Sequence, residues 1–197
     1  MTGSHFPQAI VFDACCTAAL SCFEQNGFHG TSIRQIASAA GLSVPGLYHH
    51  YPSKAALLEK LCEVSMGELH TALVQARDSA KSTIDRFNRL VACLLEFHAE
   101  FGAVAFVTYS EIRALEPGPR AQHIESRRRV EQYITDVVTA GVSEGIFETS
   151  EPRHVARAIT HICLGVAQWY RPGGPSSVEE IIEIYTGICQ DAARHVR

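Results

Sequence analysis

Through almost the whole chain, apolar residues recur every three or four positions, in runs cut by glycine and proline, and strand-like alternation is nearly absent. A period near 3.6 with such punctuation restricts the chain to an all-α fold. About nine helices fit the 197 residues. The first is expected from about Pro7 to Asn26, because proline suits a first helical turn. Ile10, Ala14, Thr17, Leu20 and Phe23 lie at helical spacing along it, and Asn26-Gly27 supplies a stop. Two short helices follow. Thr31 or Ser32 caps the first, whose apolar face is Ile33, Ile36, Ala37 and Ala40. Gly41 permits a sharp turn; Ser43 caps the second, with Pro45 in its first turn and its end near His50. Tyr51-Pro52 breaks it, since a residue before proline avoids the α region. Ser53 caps a long helix from Lys54 to about Arg77. Longer helices are expected at about 83–101, 103–115, 120–144, 152–170 and 177–194. Breaks fall at Glu116-Pro117-Gly118-Pro119, Gly145 and Pro172-Gly173-Gly174-Pro175.

Composition narrows the classes. At 46% hydrophobic and 19% charged, the chain can bury a core and is too apolar for disorder. A net charge of −4 disfavours bulk polybasic binding to nucleic acid or membrane surfaces and leaves room for a local basic site. No apolar run approaches the roughly 18–20 residues of a membrane helix, so no membrane partner is expected. The N-terminus lacks a basic region followed by a long apolar stretch, so no secretory signal is read. Seven cysteines, an odd number, show no CxxC and no zinc spacing. They read as buried thiols in a reducing cytoplasm, without disulfides.

The most informative segment is 31–54, TSIRQIASAAGLSVPGLYHHYPSK. A short helix, a glycine turn and a second short helix make helix-turn-helix spacing. Ser43, Val44, Pro45 and Gly46 are small enough for close approach to a DNA groove, and Tyr48, His49 and His50 carry polar tips for phosphate or base edges. Many helical bundles contain such a turn, so geometry alone is weak. Thr31, Ser43 and Ser53 read equally well as helix caps only. Tyr51 reads as a core residue of the small domain, Tyr48 reads as core or contact, and His50 stays open between the two.

The wording of the segment sharpens this. Thr31, Arg34, Ile36-Ala37, Ala40-Gly41, Ser43, Leu47-Tyr48, His50-Tyr51, Lys54 and Leu57-Leu58 resemble the TetR family of bacterial transcription repressors, over about 50 residues. Tyr51 stands where phenylalanine is commoner. The resemblance implies a helix-turn-helix DNA-binding domain at 1–53 and a helical ligand-binding and dimerisation domain at 54–197. It implies DNA contacts from Thr31, Ser32, Arg34, Gln35, Ser43, Val44, Pro45, Gly46, Tyr48, His49, His50 and Lys54. Arginine can grip guanine bidentately, and Lys54 would pair with a phosphate. Against strong binding, residues 1–54 carry Arg34 and Lys54 as cations and Asp13 and Glu24 as anions. A neutral head predicts modest affinity and a shallow salt slope.

The resemblance further implies a homodimer through the last two helices. Val155, Ile159, Ile162, Cys163 and Val166 form one apolar face there, and Ile181, Ile182, Ile184, Tyr185 and Ile188 another. Both faces can instead pack internally. An apolar effector would lie among the C-terminal helices, near Phe97, His98, Phe101, Phe106, Tyr109, Arg113, His161, Trp169, Tyr170 and Arg171. The segment WYRPGG resembles regulators of fatty-acid, steroid or other acyl-CoA metabolism, with Arg171 offered to a phosphate or carboxylate, or else only to a helix C-terminus.

Catalytic motifs are missing: there is no GxSxG, HExxH, P-loop or GxGxxG. His154 and His161 lack a third metal ligand, and Glu96, Glu100 and Glu111 read as helix-surface acids. No catalytic residue, metal or cofactor is assigned. The expected function is a cytoplasmic, dimeric repressor released from a palindromic operator by an apolar or acyl-CoA-like ligand. The alternatives are a drug-like or aromatic effector, and a ligand-binding dimer with little DNA affinity.

Overall fold

A computed structural model of the chain describes residues 5–6 and 10–193; among them, nine α-helices and a single 3-10 turn supply all the regular structure. Helix α1 spans Ala14–Gly30. It starts later than the sequence suggests, because Asp13 caps it, accepting a 2.8 Å bond from the Cys16 N–H. Residues 10–13 are not helical, and Pro7 lies outside the described residues. The buried face is correspondingly Cys15, Cys16, Ala18, Ala19 and Phe23, with Ala14 and Thr17 exposed. Gly27 does interrupt the helix, in the left-handed region at φ 69°, but a further turn reaches Gly30.

The short helices α2 (Ile33–Ala39) and α3 (Val44–His50) and the long α4 (Lys54–Asp78) begin where expected. Then come α5 (Thr83–Glu100), α6 (Gly102–Ser110), a 3-10 turn at Ile112–Ala114, α7 (Pro117–Ser143), α8 (Pro152–Trp169) and α9 (Val178–Ala193). The helix expected over 103–115 is therefore shorter and ends in the 3-10 turn. Pro117 opens α7 as well as closing the segment before it, since a missing N–H is harmless in a first turn. The expected end of α9 at Arg194 lies outside the described residues. Among the described residues, no single helix is long and apolar enough to cross a membrane.

Contacts group the described residues into two units. The first takes 10–68 and 103–125. In it α1 packs on α2 and α2 on α3, around the fully buried Ala19, Ile36, Leu47, Leu57, Leu58 and Leu61. The second takes 5–6, 69–102 and 126–193. Here α5 packs on both α8 and α9, and these pack on each other. Phe87, Leu90, Leu95, Ile134, Val138, Ile159, Cys163, Val166 and Cys189 make its core. Full burial of one such side chain contributes about 1.5–3 kcal/mol. Phe147 folds back onto α7: its N–H and that of Ile146 both donate to the Gly141 carbonyl. Its ring stacks tilted on Phe87 at 4.9 Å and lies over Gly141, where a Cβ would overlap it. All seven cysteines are free thiols and six are buried.

Candidate nucleic-acid interface and effector region

Two adjoining caps fix the α2–turn–α3 segment. Ser32 caps α2 in a reciprocal box: the Gln35 N–H donates to Ser32 Oγ at 3.3 Å, and the Ser32 N–H donates to Gln35 Oε1 at 2.7 Å. The expectation of Ser32 or Thr31 as cap resolves to Ser32. Gln35 uses its carbonyl oxygen here, leaving the Nε2 donors for a ligand. Gly41, at φ 69°, turns the chain, and the Leu42 N–H donates to the Ala37 carbonyl at 2.9 Å. Ser43 then accepts from the Gly46 N–H at 3.2 Å. A Cβ on Gly46 would crowd that hydroxyl.

Leu47 is fully buried and anchors α3. Around it, Ser43, Pro45, Tyr48, His49 and His50 are exposed and Val44 and Gly46 half-buried. Tyr48 is 48% exposed, which places it as a surface ring rather than core. The His49 and His50 rings stand edge to face at 5.6 Å. Arg34, Ser32 and Gln35 are exposed on α2. This gathers most of the proposed DNA contacts on the outside of two consecutive helices.

Three side chains behave differently from expectation. Thr31 is buried, its hydroxyl shared between the Cys22 and Gly27 carbonyls at 2.9 and 2.8 Å. It closes the break in α1, and burial removes it from any phosphate. Lys54, expected on a phosphate, donates to the Phe28 and Thr31 carbonyls and lies 4.3 Å from the centre of the Phe28 ring. Burial lowers its pKa, opposed by the Glu111 carboxylate. Tyr51 is half-buried rather than core; its hydroxyl donates to Asp13 and accepts from the Cys16 thiol at 3.2 Å. Burial raises the Asp13 pKa, but hydrogen bonds from Tyr51 and the Cys16 N–H outweigh it and hold the carboxyl low. Burial and the Asp13 bond push the Tyr51 phenol well up.

The residues expected around an effector divide. Phe97 and His98 are buried on α5, Phe101 is half-buried, and the Phe97 and Phe101 rings lie 5.8 Å apart. His98 Nδ1 is buried with no hydrogen-bond partner among the described residues. Burial, then the charge of Arg127, pushes its pKa down to about 3. Tyr170 is buried, and burial raises its pKa. Trp169 is exposed and stacks at 5.9 Å on Tyr185. His161 is exposed and bonds the Arg157 carbonyl at 2.8 Å. Arg171 is exposed, folding onto the Tyr170 carbonyl at 2.7 Å as a helix C-terminal cation. Neither of these two lines an interior. Phe106 and Arg113 are exposed and Tyr109 half-buried; all three belong to the first unit.

Two polar residues, the half-buried His70 and the buried Glu96, were not anticipated. His70 bonds Ser126 Oγ at 2.8 Å through Nε2, and its Nδ1 is buried without a partner. Burial and Arg129 lower its pKa. Glu96, read from sequence as a surface acid, is buried in the middle of α5. A lone acid inside the run Cys93–Ala99 was the available signal. Among the described residues, no cluster of His, Cys, Asp or Glu is arranged to hold a metal.

Comparison with known proteins agrees with this architecture. The chain is 28% identical over 172 residues to the transcriptional repressor KstR2 of Mycobacterium tuberculosis H37Rv, covering 86% of each chain. The solved structure of that ketosteroid transcriptional regulator superposes with a TM-score of 0.86 at 24% identity, over 95% of this chain and 99% of the other. A tetR-family regulatory protein from Rhodococcus RHA1 gives 0.87 at 25% identity, over 95% and 100%. AibR, solved with isovaleryl coenzyme A and operator DNA, gives 0.81 at 19% identity, over 89% and 95%. The model of bacterial regulatory proteins of the tetR family matches residues 16–61, and that of the tetracyclin repressor-like C-terminal domain matches 80–192, more than half the chain. With its helix-turn-helix built on Ser32, Gly41 and Ser43, the chain belongs to the tetR family of transcriptional regulators, which bind DNA and are not enzymes.

Proposed function

We propose that the chain is a cytoplasmic homodimeric repressor whose residues 1–53 bind a palindromic operator and whose residues 54–197 sense an apolar effector and dimerise. The observation that carries the DNA reading is α3. Its buried Leu47 holds Pro45, Tyr48 and His49 outward beside the exposed Arg34 of α2. Arg34, Gln35, Ser43 and Tyr48 contact bases or backbone, and Ser32 and His50 contact phosphate. Lys54 acts first by securing the end of α1, with one remaining donor for a phosphate.

Dimerisation runs through α8 and α9, whose outward Trp169, Ile184 and Ile188 are 48%, 56% and 44% exposed. The effector reading rests on α5, where the Nδ1 of His98 is buried beside Phe97 without a hydrogen-bond partner among the described residues. An apolar molecule with one polar group suits it, in the class of the ketosteroid and acyl-CoA ligands named for KstR2 and AibR. A ligand releases the operator only by binding better to the form that does not bind DNA, with coupling of about 1–3 kcal/mol.

The test is operator binding by the pure protein at two salt concentrations, with and without a medium-chain acyl-CoA. Two to four cationic phosphate contacts per dimer give a log–log salt slope of about −2 to −4. Arg34→Ala and Tyr48→Ala should each weaken binding about tenfold or more, the usual scale of a lost base or phosphate contact. Unchanged affinity in both variants would overturn the assignment of α2 and α3. Binding that ignores acyl-CoA would turn the search to drug-like or aromatic effectors. No specific binding at low salt would favour a ligand-binding dimer.

A further inference from the structure

The carboxamide of Gln35 is held by two bonds to its oxygen. Oε1 accepts from the Ser32 N–H at 2.7 Å and from the Ser32 hydroxyl at 2.8 Å. The Gln35 N–H in turn donates to Ser32 Oγ at 3.3 Å and closes the box that begins α2. Chemistry settles which end of the carboxamide faces Ser32: a backbone N–H needs an acceptor, and of the two ends only the oxygen accepts. The –NH2 end is the one left for another partner. Gln35 is exposed, as is its neighbour Arg34. A guanidinium has donors alone, so neither of these two adjacent side chains has an acceptor to spare.

A glutamine that reads adenine uses both ends at once, its oxygen accepting from N6–H2 and its nitrogen donating to N7. For Gln35 that pairing would break both bonds from Ser32 to gain two others. Guanine makes no such demand. Its major-groove edge presents N7 and O6, both acceptors, and one –NH2 group can serve them while the box stays closed. Thymine presents one acceptor, O4, beside a methyl group, and cytosine presents a donor. We propose that Gln35 reads the operator as a donor only, selecting guanine and rejecting adenine, with Ser32 as the positioning residue that fixes this sense. The proposal rests on the DNA-binding reading above and adds the base that this side chain requires.

The test is selection from a randomised duplex DNA pool by the full chain and by Gln35→Glu, followed by affinity measurements on the selected duplexes. Glutamate three residues after a capping serine also closes the box, so the variant keeps α2 and turns the outer end from donor to acceptor. At one base pair of each half-site the parent should select guanine and the variant cytosine, whose N4–H2 donates to a carboxylate. Guanine→adenine at that pair should weaken the parent about fivefold or more, the low end of one base contact. There, 7-deazaguanine, which lacks the N7 acceptor, should weaken the parent and leave Gln35→Ala unaffected. Identical selected sites for the parent and Gln35→Glu overturn the proposal. So does a variant weakened equally on every sequence, which is the behaviour of a phosphate contact. If Gln35→Glu fails to fold, Gln35→Ala decides: a response to 7-deazaguanine unchanged at every guanine overturns the proposal. A parent chain that enriches no sequence overturns the DNA-binding reading and this proposal together, whereas the other failures leave that reading standing.

Discussion

The hydroxyl of Tyr51 shows how one atom can re-route a local structure. Phenylalanine at this place would simply pack; the phenol ties the N-cap of α1 to the end of α3 through Asp13 and Cys16. Tyr51→Phe should therefore lower stability by about 1 kcal/mol, the usual net value of such a bond, seen as a lower urea midpoint with unchanged slope. His98 makes a different prediction at the same scale. Its native pKa, about 3, lies below the ordinary 6.5 because burial and Arg127 oppose the charge. Between those values the unfolded chain holds a proton that the native chain does not, so stability falls as pH drops through 6.5. At a limit of about 1.4 kcal/mol per pH unit, going from pH 7 to 5 removes about 2 kcal/mol. His98→Leu should flatten this part of the curve in denaturant titrations at each pH. These residues also mark the limit of reading a sequence. Tyr51 was visible as a departure from phenylalanine, but Asp13 as its partner was not. Glu96 looked like a surface acid because its partner His5 lies 91 positions away.

At the scale of the element, what was legible is what is decided locally. Ser32, Gly41 and Ser43 act within three or four residues of themselves, so α2, the turn and α3 fall where the sequence places them. The start of α1 falls later than expected because residues 10–13 are not helical and Asp13 supplies the cap. His161 and Arg171 were chosen for residue type, and their helix face and the carbonyl of Tyr170 decide otherwise. The end of α7 offers a sharper test. Alanine has the better helix propensity by about 1 kcal/mol, yet at Gly141 its methyl would overlap the Phe147 ring. Gly141→Ala should destabilise by about 1–3 kcal/mol, as overpacking does. Gly141→Ala with Phe147→Leu should recover part of the loss, which a double-mutant cycle in thermal denaturation would measure.

At the scale of the whole molecule, the outward side chains of α8 and α9 are where the proposed dimer would form. The inner faces of these helices, with Ile159, Cys163, Val166 and Cys189, are consumed by the core, so the apolar positions identified by sequence split between inside and outside. Ile184 and Ile188 remain on the outside. Ile184→Glu should convert the dimer to a monomer in sedimentation at micromolar concentration, with operator affinity lost and helicity kept. Retained dimers would move the interface elsewhere. Pairing through those two isoleucines, as proposed, has a consequence for the cell. Where protomers are scarce enough to dissociate, the number of paired molecules grows as the square of the amount synthesised. Halving expression would then leave about a quarter of the paired form. Gene dosage, growth-rate dilution and partition at division would each be felt as a steep change in occupancy of the promoter, before any small molecule enters.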